Sequence, residues 1–114
     1  MTKEQLRNYR KIKDEHHQIE QRLQALENCP ESEEEILQPL RQFYREKLAD
    51  LAALQLSIEQ AIETLDYTER KLVRLRYLDG LPWYRVANSI HYGKQQTHRI
   101  HSRVLQKLEK LEKI

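Results

Sequence analysis

The residues best suited to chemistry lie near the C-terminus, in a stretch that the pattern predicts to be the start of a helix. Its polar and basic side chains are Lys94, Gln95, Gln96, His98, Arg99 and Arg103. Lys94, Gln95, His98 and Arg99 stand at i, i+1, i+4 and i+5, so one side of a helix would carry all four. In the major groove of DNA, glutamine pairs with adenine, and arginine or lysine pairs with guanine. The spacing therefore predicts a helix that reads base edges, with Tyr84 or Arg85 just upstream contacting phosphate.

The histidines suggest a metal site as the alternative. His91, His98 and His101, with Cys29, are the candidate ligands. Structural zinc sites use four ligands in fixed geometry. His98 and His101 are three residues apart on one predicted helix, but a third and a fourth ligand are not evident. We therefore expect the histidines to face DNA or solvent, and we expect no metal and no cofactor.

Catalytic motifs are missing from the sequence. It contains neither a Gly-rich phosphate loop nor a nucleophile elbow with its serine, histidine and aspartate. The acidic residues cluster on predicted helices where solvent or a basic partner would satisfy them. The prediction is a binding protein and not an enzyme.

The composition favours an all-α protein. Charged residues make up 33% of the chain, the mean hydropathy is -0.89, and only two glycines and three prolines interrupt residues that form helices well. No apolar run approaches the roughly 20 residues that cross a bilayer, and residues 1–10 lack the apolar core of a secretory signal. With Cys29 as the single cysteine, these features predict a cytoplasmic protein that does not bind membranes.

Charge divides the chain into two predicted domains. Residues 1–64 carry 9 Lys and Arg against 13 Asp and Glu, whereas residues 65–114 carry 11 against 5. A small basic half is typical of proteins that bind the phosphate backbone. The prediction is a helical hairpin over 1–64, for oligomerisation or partner contact, and a DNA-binding domain over 65–114.

The hairpin is predicted from two apolar stripes. The first helix would run from Thr2, in a capping box with Gln5, to about Asn28, ahead of Pro30. Its near-heptad seam is Leu6, Tyr9, Ile12, His16, Ile19, Leu23 and Leu26. The second helix would begin at Ser32, in a capping box with Glu35, and carry Ile36, Leu37, Leu40, Tyr44, Leu48, Leu51, Leu54, Ile58, Ile62 and Leu65. Pro39 would either kink this helix or start it. The short loop predicts an antiparallel pair, and the wide stripes call for a third partner, either the C-terminal domain or a second copy.

The C-terminal half is predicted to hold three shorter helices. Asp66 or Thr68 would cap a helix over Glu69–Leu78, which Gly80 would end. A helix over 83–89 would follow Pro82, and a last one would run over 94–112 after a turn at 91–93. The expected core residues are Leu72, Val73, Leu75, Tyr77, Val86, Ala87, Ile90, Ile100, Val104, Leu105, Leu108 and Leu111, with Trp83 or Tyr84 beside them and Tyr92 filling the turn. Two helices joined by a short turn, the second basic at its start, form a helix-turn-helix pattern.

Residues 65–111 resemble region 4 of the bacterial sigma-70-type sigma factors. The matching elements, in order, are Leu65, Glu69-Arg70, Leu75-Arg76-Tyr77, Gly80-Leu81, Arg85-Val86-Ala87, Ile90, Ile100, Arg103-Val104-Leu105 and Leu108. The resemblance implies DNA binding, with Lys94, Gln95, His98 and Arg99 at the recognition-helix positions that touch the promoter -35 element. Three residues depart from the family pattern: His91 replaces a turn glycine, Gly93 replaces a Ser or Thr cap, and Gln95 stands where glutamate is common. The base preference of sigma factors is therefore not carried over, and without region 2 the chain is not expected to melt a promoter.

The whole layout resembles the ArpU/RinA-like late-gene regulators of phages and prophages. That resemblance implies a DNA-binding transcription regulator of phage late genes, with double-stranded DNA as its partner. The N-terminal helices would form a homodimer or contact RNA polymerase. Two alternatives stay open: a packaging adaptor similar to small terminase subunits, and a sigma-like module that binds proteins without touching DNA.

Overall fold

The computed structural model of the chain describes residues 3–29 and 34–111, and every regular element in those ranges is helical. The helices are α1 (Lys3–Arg7), α2 (Tyr9–Glu27), α3 (Glu34–Glu63), α4 (Tyr67–Val73), α5 (Trp83–Ile90) and α6 (Lys94–Leu111), and a π-helical segment over Arg74–Leu78 continues α4. The all-α prediction is confirmed. Three residues that matter to the predicted helix ends lie outside the described residues. They are Thr2 and Ser32, each the first residue of a predicted capping box, and Pro30, which was predicted to end the first helix.

These residues divide into two compact units. Unit 1 consists of residues 3–10 and 57–111, and unit 2 consists of residues 11–29 and 34–56. The predicted domain boundary between residues 64 and 65 stays a prediction.

The first predicted helix is interrupted at Asn8, which separates α1 from α2. The amide of Asn8 still donates to the carbonyl oxygen of Glu4 at 3.0 Å, so the interruption is slight. Asparagine is a weak helix former because its side chain competes for backbone hydrogen bonds, which accounts for a break at this position. Pro39, in contrast, lies inside α3 and does not start it. Pro39 is the sixth residue of α3, so it lacks the amide that would donate to the carbonyl oxygen of Glu35, and α3 continues past this missing bond.

In unit 2, a buried arginine joins α2 to α3. Arg41 is 7% exposed and donates to the carbonyl oxygen of Leu26 from Nε at 3.1 Å and from Nη2 at 2.6 Å. This carbonyl belongs to the last turn of α2, where backbone acceptors have no partner within the helix. The guanidinium therefore adds to the hydrogen bond that the Cys29 amide donates to the same carbonyl oxygen at 3.3 Å.

The predicted stripe of α3 is wrong at its first turns. Ile36 is 79% exposed and Leu40 is 41% exposed, whereas Arg41 is buried. The buried face of α3 advances from Leu37 to Arg41 to Tyr44 in steps of four and three residues. Arg41, with its hydrogen-bonded partner, takes the buried position in this turn that the apolar Leu40 was expected to fill. Leu40 therefore lies off this face.

Unit 1 has a continuous apolar core. Its buried residues are Leu6, Tyr9, Ile58, Ile62, Leu65, Leu72, Val73, Tyr77, Val86, Ile90, Ile100, Val104 and Leu108. The predicted core positions Leu75, Ala87 and Leu105 are partly exposed, and Leu111 is 38% exposed. Leu111 lies in the last described turn of α6.

Helix α4 begins with a reciprocal cap. The Asp66 carboxylate accepts from the Glu69 amide at 2.9 Å, and the Glu69 carboxylate accepts from the Asp66 amide at 3.0 Å. Of the two caps that the sequence allowed, the structure uses Asp66. The π-helical segment ends at Leu78 with Asp79 as its C-cap, and Gly80 follows with a φ of 73°, which is favourable only for glycine and a few polar residues.

Candidate nucleic-acid interface

The turn between α5 and α6 is three residues long and is closed by backbone hydrogen bonds. His91 adopts a left-handed conformation with φ 63°, and the Tyr92 amide donates to the Ala87 carbonyl at 3.2 Å. Side chains other than glycine enter this region at a cost, although histidine tolerates it better than most residues. His91 therefore adopts the left-handed conformation at the position where the sigma region 4 pattern has a turn glycine. Tyr92 is 45% exposed, so the prediction that it fills the turn is wrong.

Helix α6 is fixed at its start by Thr97. The buried Thr97 donates from its amide at 2.9 Å and from its hydroxyl at 2.8 Å to the carbonyl oxygen of Gly93. Val86 and Ile90 of α5 and Ile100 of α6 are buried, which holds the two packed helices together. The opposite face of α6 stays open to solvent.

This open face forms a shallow groove along α6. The groove is lined by Lys94, Gln95, His98, Arg99, Ser102, Arg103 and Gln106, all of which are exposed. Five of these seven residues were predicted as DNA contacts, and the structure brings them together. Ser102 and Gln106 were missed, although helical spacing would have placed them on the same face. Ser102 follows Arg99 by three residues and His98 by four, and Gln106 follows Arg99 by seven and His98 by eight.

The cations at the start of α6 are not neutralised within the described part of the chain. Lys94 and Arg99 form no ion pair there, whereas Arg45, Arg70 and Arg74 each contact a glutamate. None of the groove residues is acidic. A surface of this kind attracts polyanions, because the positive potential is not cancelled locally.

A second depression lies beside the groove, between α5 and the start of α6. Trp83, Tyr84, Ala87, Lys94, Thr97 and His98 line it. Tyr84 is 68% exposed. Gln96 and Arg85 are also exposed but line neither depression, so the structure does not group them with the other predicted contacts. Pro82 precedes α5 and has no side chain that could cap its first amides.

Arg103 has a structural partner that the sequence did not reveal. Its Nε donates to Oε2 of Glu69 at 2.9 Å, and Nζ of Lys107 donates to Oε1 of the same carboxylate at 2.7 Å. Glu69 is fully buried. Burial would raise the pKa of Glu69, but hydrogen bonds from Lys107, from the Asp66 amide and from Arg103 outweigh it and lower the pKa to about 2. Arg103 thus holds α6 to the start of α4 while it also lines the groove.

Trp83 connects the groove to a partly buried cluster that it forms with Tyr77 and His101. Its ring centroid lies 5.3 Å from that of His98 and 4.6 Å from that of His101. Nε2 of His101 and the Tyr77 hydroxyl form a 2.6 Å hydrogen bond. Burial, and then the positive charges of Lys3, His98, Arg76 and Arg7, lower the pKa of His101 to about 4. Burial has the opposite effect on Tyr77 and raises the pKa of its hydroxyl. Of the pair Trp83 and Tyr84, Trp83 is the residue that packs.

Within residues 3–29 and 34–111, no three His, Cys, Asp or Glu side chains are grouped as metal ligands would be. His98 and His101 both lie against Trp83.

In the same ranges no helix has the length and apolar character needed to cross a membrane. Comparison of the chain with protein-family models, with curated proteins and with solved structures found no match.

Proposed function

We propose that the chain is a sequence-specific DNA-binding transcription regulator that uses α5, the turn and α6 as a helix-turn-helix. The observation that carries the proposal is the groove of α6, where Lys94, Gln95, His98 and Arg99 share one exposed face and have no carboxylate partner among residues 3–29 and 34–111. A helix of this kind enters the major groove with its N-terminal residues at the base edges. The proposed setting is the cytoplasm.

The groove residues divide into two chemical roles. Gln95 and Arg99 carry the amide and the guanidinium that recognise adenine and guanine through paired hydrogen bonds. Lys94 supplies a point charge suited to phosphate, and the exposed hydroxyl of Tyr84 in the neighbouring depression is a further phosphate donor.

The resemblance to sigma region 4 and to the ArpU/RinA-like regulators supports a role in phage or prophage late transcription. In that role the N-terminal helices form a hairpin that dimerises or contacts RNA polymerase. Ile36, Leu40 and Phe43 of α3 support self-association, because they lie four and three residues apart and are 79%, 41% and 55% exposed.

The test is duplex binding by fluorescence anisotropy over a salt series, after selection of preferred sites from a random DNA pool. The wild-type protein should select a defined site and lose affinity steeply with salt, because phosphate contacts release counterions. Lys94→Ala and Arg99→Ala should each weaken binding about tenfold, the size expected from loss of a phosphate or base contact. Helical content by circular dichroism should not change.

The matched control is Lys110→Ala. Lys110 is exposed on the same helix, 16 residues after Lys94, so its removal lowers the net charge equally but leaves the groove intact. It should bind DNA within about twofold of wild type, as expected for one distant charge. Equal losses in all three variants, or none in any, would reject the proposal.

Solution mass separates the packaging alternative from regulation, since a ring of many subunits is expected only for packaging. A duplex affinity that does not change with salt concentration, or failure to bind any duplex, would favour a module that binds only proteins.

A further inference from the structure

A second basic surface lies on unit 1 outside the groove of α6. Lys3, Arg7 and Arg10 from the start of the chain and Arg76 from the π-helical segment line one cavity, which we call the basic cavity. Tyr77, Gly80, Trp83 and His101 complete its lining. Sequence reasoning missed it, because residues 3–10 and Arg76 are far apart in the chain.

The charges of the basic cavity are not balanced within the described part of the chain. Lys3, Arg7 and Arg10 are exposed and pair with no carboxylate there. Lys3, Arg7 and Arg76 also contribute to the lowered pKa of His101, so their positive potential reaches the cavity wall. Four cations around one cavity repel one another, and a bound anion would remove that repulsion.

One cation of the cavity, Arg76, is held in place by its neighbours. Nη1 of Arg76 donates to the Leu81 carbonyl at 3.0 Å, and its guanidinium carbon lies 4.7 Å from the centre of the Trp83 ring. The guanidinium of Arg10 lies directly over Gly80, where a Cβ would collide with it. The missing side chain at Gly80 therefore gives Arg10 its place in the cavity.

Trp83 links this cavity to the proposed DNA interface. It lines both the basic cavity and the depression that holds Tyr84 and Lys94. Its two histidine neighbours, His98 in the groove and His101 in the cavity wall, are three residues apart on α6, which is about 4.5 Å of helix rise. A DNA strand that borders the major groove at His98 would therefore pass the basic cavity within one turn of α6.

We propose that the basic cavity binds a backbone phosphate of the DNA strand that flanks the major groove, so that residues 3–10 belong to the DNA interface. Guanidinium groups suit this ligand, because they form paired hydrogen bonds to phosphate oxygens. The inference rests on the proposed function and assigns the cavity to positioning, because phosphate contacts carry no base information. Free phosphate compounds present the same chemistry, and the test separates them from DNA.

The experiment compares the full chain with the variant Lys3→Gln, Arg7→Gln, Arg10→Gln. All three positions are exposed, so the fold should persist. Affinity should fall at least about tenfold, both for the selected duplex and for unrelated duplexes. The slope of log affinity against log salt should fall by roughly 0.9, the value of one phosphate contact. The selected base sequence should be unchanged.

The control variant is Lys11→Gln, Lys13→Gln, Arg22→Gln, which removes the same charge from exposed positions of α2. It should retain affinity within about threefold, the effect expected of exposed, screened charges that do not line the cavity. Equal losses in both triple variants would overturn the proposal in favour of net charge alone. If wild type binds DNA and the first variant binds equally well, the inference fails and the proposed function stands. If wild type binds no duplex, the proposed function fails first.

Inorganic pyrophosphate provides the second arm. Trp83 is the only tryptophan of the chain and lies in the cavity wall, so its fluorescence reports occupancy. Because Trp83 also lines the depression that holds Tyr84 and Lys94, duplex would change this signal both in wild type and in the triple variant of residues 3–10, so the fluorescence is read with pyrophosphate alone. A signal with micromolar pyrophosphate, abolished in that variant, together with unaltered DNA binding would assign the cavity to a free phosphate compound and overturn the DNA assignment.

Discussion

The fully buried carboxylate of Glu69 accepts a 2.9 Å hydrogen bond from Nε of Arg103, which is about half exposed. One end of Arg103 is thus fixed in the interior of unit 1 while its side chain also lines the groove of α6. The position of the proposed reading helix consequently depends on a buried acidic residue 34 positions earlier in the chain.

The first prediction is that Glu69→Ala destabilises the protein. The substitution removes the partner of Arg103 and Lys107, empties a buried site and breaks the capping box of α4. Because both cations can turn to solvent, we expect a loss of about 2 to 3 kcal/mol in the free energy of unfolding, below the range for a fully buried pair. Urea unfolding measures it. Glu109→Ala, at an exposed position of α6, is the control and should change stability by less than about 0.5 kcal/mol. Similar values for the two variants would contradict the buried network.

The same carboxylate should make the protein sensitive to strong acid. The pKa of Glu69 is lowered to about 2 from an ordinary value of 4.5, so its contribution to stability is complete above pH 4.5 and is lost as the pH falls towards 2. Glu69→Gln should lack this part of the acid dependence. A variant whose stability between pH 4.5 and 2 falls as steeply as that of wild type would show that other groups cause it.

His101 should act in a higher pH range. Its folded-state pKa is lowered to about 4 from 6.5, so the unfolded chain gains a proton first, and stability falls as the pH drops from 6.5 to 4. Because the ring is only partly buried, we expect this loss to be about 2 kcal/mol, less than the full shift implies. Thermal unfolding of wild type and His101→Gln over this range provides the measurement. The difference between the two proteins should change with pH, and a constant difference would refute the assignment.

The left-handed His91 predicts a stabilising substitution. His91→Gly removes the strain of a side chain at φ 63° but increases the freedom of the unfolded chain, for a net gain of about 0.5 kcal/mol. Gly93→Ala is the matched test, because it removes a glycine from the same turn instead of introducing one. The φ of Gly93 is not positive and a Cβ there meets open space, but Gly93 is the N-cap of α6, where alanine is less favourable than glycine, so Gly93→Ala should be neutral or slightly destabilising. Differential scanning calorimetry would record both changes, and a marked loss of stability in His91→Gly would contradict the turn geometry.

Periodicity predicts much of this fold, but it does not predict which polar residues are buried. The helices of unit 1 and their core from Leu72 to Leu108 follow from apolar spacing and from caps such as Asp66, because these are local signals. Arg41 and Glu69 are buried because partners distant in the chain satisfy them, and no local pattern encodes such a partner. The basic cavity escaped prediction for the same reason, whereas the face of α6 followed directly from helical spacing.

The neighbouring residues Gln95 and Gln96 test the proposed reading of DNA most directly. Both are exposed, but only Gln95 lines the groove with His98 and Arg99. Gln95→Ala should therefore reduce discrimination at one base pair by about 1 to 3 kcal/mol, because it removes a base contact, and should leave the salt slope unchanged. Gln96→Ala removes the same side chain one position away and should leave the selected site unaltered. Competition binding against duplexes substituted at each position of the selected site gives both values. If Gln96→Ala relaxed specificity and Gln95→Ala did not, α6 would have to meet DNA through a different face.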